Sequence, residues 1–202
     1  SFYKYNKIDD SYIKQKRIEV IKKSSVIVYK EPRVTMEDIA GNHYFKEWYE
    51  ELKYCFEPDA QQYGVARPKG YLALGPAGTA KSLGAEAIAS DLNVPLLFLD
   101  MSKLLSKFVG ESERNIDEAI NIINQVAPCV LLIDEVEKAL GCYKSSNASY
   151  SGTLARVFGK VLNLLADNDK GIFTVMTSNN VKDLPPELTR AGRLDAIFYF
   201  GY

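Results

Sequence analysis

The chain has 202 residues, 47% of them apolar and 25% charged, a balance that fits a folded domain and excludes disordered and fibrous classes. Its 25 basic side chains meet 26 acidic ones, so no global field draws it to nucleic acid or to an anionic membrane. No apolar run approaches the roughly 20 residues of a membrane span, the Lys-rich start lacks the apolar stretch of a signal peptide, and Cys55, Cys129 and Cys142 with His43 as the one imidazole support neither a disulfide framework nor a zinc site.

In chain order, residues 1–30 carry Lys4, Lys7, Lys14, Lys16, Arg17, Lys22, Lys23 and Lys30 against Asp9, Asp10 and Glu19. This basic segment reads as a solvated helix face, or as an arm docking on an acidic partner or a neighbouring subunit. We place a helical arm and linker over 1–33. Phe45, Trp48, Tyr49, Leu52 and Phe56 form an aromatic stripe of core type. Five short apolar runs then follow, at Tyr71–Leu74, Leu96–Leu99, Val130–Ile133, Ile172–Thr177 and Ile197–Phe200. Each is bounded by Gly, Pro or Asp, as expected of buried parallel strands. Between them, Ile116, Ala119, Ile120 and Ile123, and later Leu154, Val157, Phe158, Val161, Leu162 and Leu165, recur at helical spacing. The alternation predicts an α/β fold, a five-stranded, mainly parallel sheet with helices on both faces, and ligands beyond the carboxyl ends of the strands. Gly141–Gly152, rich in Ser, Asn and Tyr, shows no periodicity and reads as a long loop.

Gly75-Pro76-Ala77-Gly78-Thr79-Ala80-Lys81-Ser82 joins the run ending at Leu74 to the helical segment from Leu83. Strand, Gly-rich loop and helix in that order make a P-loop. Without bulky side chains, successive backbone N–H groups converge on phosphate oxygens at the positive end of a helix. Lys81 is suited to the β and γ phosphates of ATP and the Ser82 hydroxyl to Mg²⁺. One position departs from the pattern: Ala80 stands where Gly is usual, and a positive φ or a close phosphate there would make its methyl group costly.

Cys129-Val130-Leu131-Leu132-Ile133 ends in Asp134 and Glu135 at the same predicted edge. Asp134 suits the Mg²⁺ shell and Glu135 suits polarising an attacking water, a pairing that favours ATP hydrolysis. The strand after it ends in Ser178-Asn179-Asn180. Asn179 is placed to reach between those carboxylates and the γ-phosphate, although Asx residues after strands are also ordinary turn formers.

With these motifs in place, residues 34–202 resemble an AAA ATPase of the P-loop NTPase class. Lys107-Phe108-Val109-Gly110-Glu111-Ser112-Glu113 is similar to the family's first pore loop, and Leu188-Thr189-Arg190-Ala191-Gly192-Arg193-Leu194-Asp195 to its second region of homology. Gln62-Tyr63-Gly64 and Arg156-Val157-Phe158-Gly159 are similar to the conserved AAA subgroup of cyanobacteria and plastids. Asn180, Ala191 and Asp117 depart from the usual pattern, in which Asn180 and Asp117 are basic positions and Ala191 is Pro.

The resemblance implies a nucleotide held along Pro76, Ala77, Gly78, Thr79, Ala80, Lys81, Ser82 and Leu83, with adenine near Ile39, Ala40 and Gly41. Catalysis would fall to Lys81, Glu135 and Asn179, and Mg²⁺ to Ser82 and Asp134. Arg190 and Arg193 would reach the nucleotide of an adjacent subunit in a ring, expected to be a hexamer. Phe108, Val109 and Gly110 would grip a polypeptide threaded through it. Relatives continue into a helical lid, which is expected to be missing here, so that the 202 residues alone should be chiefly monomeric and weakly active. The expected setting is cytoplasm or plastid stroma, away from membranes. Two other functions compete: a nucleotide-sensing scaffold with a P-loop detuned by Ala80, and a nucleic-acid motor or loader, which draws only on the basic start and conflicts with the near-neutral total charge.

Overall fold

The computed structural model describes residues 10–22, 24–104, 111–137, 148–166, 170–180, 184, 188, 190 and 192–201. Among them, six strands form one sheet: β1 (Ile27–Lys30), β2 (Gly70–Leu74), β3 (Leu96–Leu99), β4 (Cys129–Ile133), β5 (Ile172–Ser178) and β6 (Ala196–Tyr199). Their order is β1-β3-β4-β5-β2-β6. Neighbours are parallel from β3 to β6, with Leu74 opposite Ser178 and Leu99 opposite Ile133, while β1 runs antiparallel to β3. The described helices are α1 (Asp10–Ile21), α2 (His43–Leu52), α3 (Pro58–Gln62), α4 (Lys81–Asp91), α5 (Met101–Leu104), α6 (Glu111–Val126) and α7 (Ala148–Ala166).

The sheet therefore has one strand more than the five expected. The addition is β1, inside the segment read as an arm and linker. Only four residues long and half exposed, it has one face on the core, and its Lys30 reads as part of the basic run. Yet Ile21, Val26 and Ile27 are buried, and Lys30 Nζ lies 4.8 Å from the centre of the Phe98 ring. The irregular run expected at 141–152 is helical from Ala148 onward, as the first turn of α7; residues 141–147 lie outside the described residues.

Alternate residues of each central strand feed two cores. Leu72, Leu97, Leu131, Ile133 and Met176 pack with residues of α1, α6 and α7 on one face. Tyr71, Ala73, Val130, Leu132 and Val175 pack with residues of α2 and α4 on the other. A fully buried Leu, Ile or Val contributes roughly 1.5–3 kcal/mol, so the continuous apolar runs make these strands the rigid base of the molecule. The aromatic stripe is core, as expected: Phe45 lies 5.1 Å from Tyr71 and 5.5 Å from Phe200, ring centre to ring centre. The Tyr49 hydroxyl donates to Asp91 Oδ2 at 2.7 Å, fastening α2 to the end of α4.

On the outer helices, Asp117 pairs with Lys160 at 2.6 Å and Glu113 with Arg156 at 2.5 Å, joining α6 to α7. The acidic departure at Asp117 is thus matched by a cation on the facing helix. Among the described residues, no helix is long and apolar enough to cross a membrane.

Candidate nucleotide-binding site

The order β4-β5-β2 brings three carboxyl ends side by side: Asp134 and Glu135 after β4, Asn179 after β5, and the loop Gly75–Ala80 after β2. Gly75 has φ +147°, and its N–H donates to Ser178 O at 3.1 Å, tying the loop to β5. A Cβ there would lie 2.0 Å from Phe200 O, so only glycine fits. Gly78 has φ +85° and open space where a side chain would stand. Thr79 is buried, its hydroxyl donating to Pro76 O at 2.9 Å. Ala80 adopts φ 63° and ψ 20°, the left-handed conformation that the sequence departure put in question, immediately before α4.

Lys81 is 7% exposed. Its Nζ donates to Gly75 O at 2.8 Å, Pro76 O at 2.5 Å and Asn179 Oδ1 at 2.9 Å. Burial lowers its pKa, opposed by the attraction of Asp134, Glu137 and Glu135. Among the described residues no carboxylate lies within ion-pairing distance of this ammonium group. A buried cation held only by neutral oxygens is costly and is matched to an incoming anion at a helix N-terminus.

The acidic side is organised by Thr177, a buried polar residue near the end of β5. Its hydroxyl donates to Asp134 Oδ1 and accepts from the Glu135 N–H at 3.0 Å. Glu135 itself lies at φ +52°, so its carboxylate is presented from a left-handed turn. Asn179 Nδ2 donates to Glu137 Oε1 at 3.0 Å and lies 3.4 Å from Glu135 Oε1. Thr177 and Glu137 were not singled out from the sequence. The visible signals were a hydroxyl two residues before Asn179 and a third carboxylate on the heels of Asp134 and Glu135.

Lys81, Asp134, Glu135 and Asn179 are therefore brought together, as expected. Ser82 is half-buried on the first turn of α4, and Leu83 is 36% exposed beside it. No cluster of three acidic, His or Cys side chains able to cage a metal occurs among the described residues. Ile39 is buried in the core beside α4, whereas Ala40 and Gly41 are exposed. Arg190 is exposed and Arg193 half-buried, both preceding the amino end of β6, the opposite edge of the sheet from Lys81. Phe108, Val109 and Gly110 lie outside the described residues.

At that opposite edge a cleft of about 650 Å³ is lined by Phe56, Arg67, Asp91, Cys129 and Gly171 among others. Burial pushes the Cys129 thiol up to about 12, so it serves as packing, not as a nucleophile.

Residues 71–202 match the family described as "ATPase family associated with various cellular activities (AAA)". The chain belongs to the AAA family. This AAA chain is 40% identical over 199 residues to the "Uncharacterized AAA domain-containing protein ycf46" of Pyropia yezoensis, covering 96% of this chain and 40% of that protein. The protein of the same name from Guillardia theta is 38% identical over 192 residues, covering 95% of this chain and 37% of its own length. "Peroxisomal ATPase PEX6" of Dictyostelium discoideum is 31% identical over 197 residues, 96% of this chain but 16% of that protein. The AAA chain thus spans about two fifths of the length of the ycf46 relatives. The AAA family is one of nucleotide-binding ATPases.

Proposed function

We propose that this AAA chain binds ATP with Mg²⁺ and, within a ring of subunits, hydrolyses it to remodel or unfold a polypeptide. The observation that carries the reading is the buried Lys81 ammonium, without a carboxylate partner among the described residues, facing Asp134, Glu135 and Asn179 across the sheet edge. The loop amides and Lys81 would hold the phosphates, with Ile39, Ala40 and Gly41 near the base. Ser82 and Asp134 would hold Mg²⁺, which neutralises charge on the phosphate oxygens when bound. Glu135 would take a proton from the attacking water, and Asn179 would orient that water.

Arg190 and Arg193 precede the sheet edge opposite their own phosphate loop, which supports their serving an adjacent subunit. An arginine supplied across an interface contributes about 10³ to 10⁵ in rate. Phe108-Val109-Gly110 would grip the polypeptide, and Phe108→Ala is then expected to abolish substrate processing at unchanged ATPase rate. The setting in this reading is cytoplasm or plastid stroma.

Calorimetric titration with ATP and Mg²⁺ tests the core of the reading. Lys81→Ala should weaken binding by about 100-fold, the loss of a charge-assisted contact worth roughly 3 kcal/mol. Equal affinity in both proteins would refute it. A second reading, a nucleotide-sensing scaffold, is favoured by the left-handed Ala80. In that case the longer protein would bind ATP without releasing phosphate, and Glu135→Gln would change nothing.

A further inference from the structure

Both ends of the Asn179 side-chain amide and its backbone N–H are engaged. Its Oδ1 accepts from Lys81 Nζ at 2.9 Å, its Nδ2 donates to Glu137 Oε1 at 3.0 Å, and its backbone N–H donates to the same Glu137 oxygen at 3.1 Å. Charge fixes the orientation of the amide, because turning it over would set NH₂ against the ammonium and oxygen against the carboxylates. Glu137 therefore holds both the main chain and the side chain of Asn179 through one oxygen. Its other oxygen, Oε2, is buried without a hydrogen-bond partner among the described residues. A buried, unsatisfied acceptor is destabilising, and among the described residues both hydrogen bonds of the carboxylate come from Asn179.

Resting on the nucleotide reading above, we infer that Glu137 is a positioning residue that clamps Asn179 so that its amide faces the terminal phosphate. A phosphate that draws Lys81 away from Asn179 Oδ1 removes one anchor and leaves Glu137 as the remaining one. Glu137 thereby sets how well the site distinguishes a nucleoside triphosphate from a diphosphate. It touches neither the nucleotide nor the attacking water, and acts through Asn179.

The test compares wild-type chain, Glu137→Gln and Glu137→Ala in two measurements: calorimetric affinities for ATP and ADP with Mg²⁺, and hydrogen exchange at the Asn179 backbone amide in the free protein. Gln retains an oxygen able to accept from both Asn179 donors, whereas Ala does not. Glu137→Ala is expected to lose about tenfold in ATP affinity with ADP affinity within about twofold, and to exchange the Asn179 amide about tenfold faster, the scale of one charged hydrogen bond. Glu137→Gln should stay within about threefold of wild type in both. Should Glu137→Ala fail to fold, Glu137→Asp, which withdraws the carboxylate by one methylene, is expected to show the same two losses.

An unchanged ATP-to-ADP ratio, unchanged exchange at Asn179, or a Gln variant as impaired as the shortened one would overturn the inference. Lys81→Ala separates the two levels. If it binds both nucleotides as tightly as wild type, the nucleotide reading fails and the inference with it; if it loses them while Glu137→Ala behaves as wild type, the inference alone fails.

Discussion

Ala80→Gly should stabilise the folded chain. Ala80 sits at φ 63° and ψ 20°, in the left-handed region. An L-residue with a Cβ in this region costs roughly 1–2 kcal/mol. Glycine removes that cost but adds about 0.4–1 kcal/mol of backbone entropy to the unfolded chain. The balance is a gain of up to about 1.6 kcal/mol, or up to about 6 °C in Tm for a chain of this length. Thermal unfolding followed by circular dichroism reads the shift, and Ala80→Val serves as the opposite perturbation, since a β-branched residue tolerates positive φ poorly. A lower Tm for the glycine variant, or a valine variant as stable as wild type, would refute the reasoning.

Three further outcomes follow from the same geometry. The Tyr71 hydroxyl is buried without a hydrogen-bond partner among the described residues, and a Cβ on Gly84 would lie 2.3 Å from it, so Tyr71→Phe should be neutral or stabilising by up to about 1 kcal/mol. Gly84→Ala alone should cost about 1–3 kcal/mol by overpacking, and the double variant should recover part of that loss in denaturant unfolding; additivity of the two would contradict the contact. Thr177→Val keeps the shape but strips Asp134 of a donor and the Glu135 N–H of its acceptor. It should destabilise by about 1–3 kcal/mol and weaken Mg²⁺-dependent more than Mg²⁺-free ATP binding, as read by calorimetry with and without the metal. Finally, burial lowers the Lys81 pKa below 10.5, so between that lowered value and 10.5 the unfolded chain holds more of this proton than the folded one. Stability of wild type relative to Lys81→Met should therefore rise with pH across that alkaline window, and a fall measured by urea unfolding would reverse the sign.

The phosphate loop and both apolar strand ends were legible because each couples a conspicuous composition to an unambiguous context. Gly75, Gly78 and Lys81 lie between a wholly apolar run and a helix, and Val130–Ile133 breaks abruptly into two acids. The β1 strand was not legible, since four residues with one buried face, ending in a lysine that lies on Phe98, look like the basic segment that contains them. Thr177 and Glu137 escaped for a different reason. Each acts through a partner on a neighbouring strand end, and sequence spacing alone does not say which strand ends are adjacent. Only the order β4-β5-β2 makes a residue after β4 and a residue after β5 into neighbours.

The single hydroxyl of Thr177 has a mechanical corollary. By bonding both the side chain of Asp134 and the main chain of Glu135, it acts as a yoke that carries the β4–β5 pairing beyond Ile133 and Met176. Any force that pulls on β5 must carry both acids with it, so a tug felt by one wall of the pocket is delivered to the other as a concerted displacement.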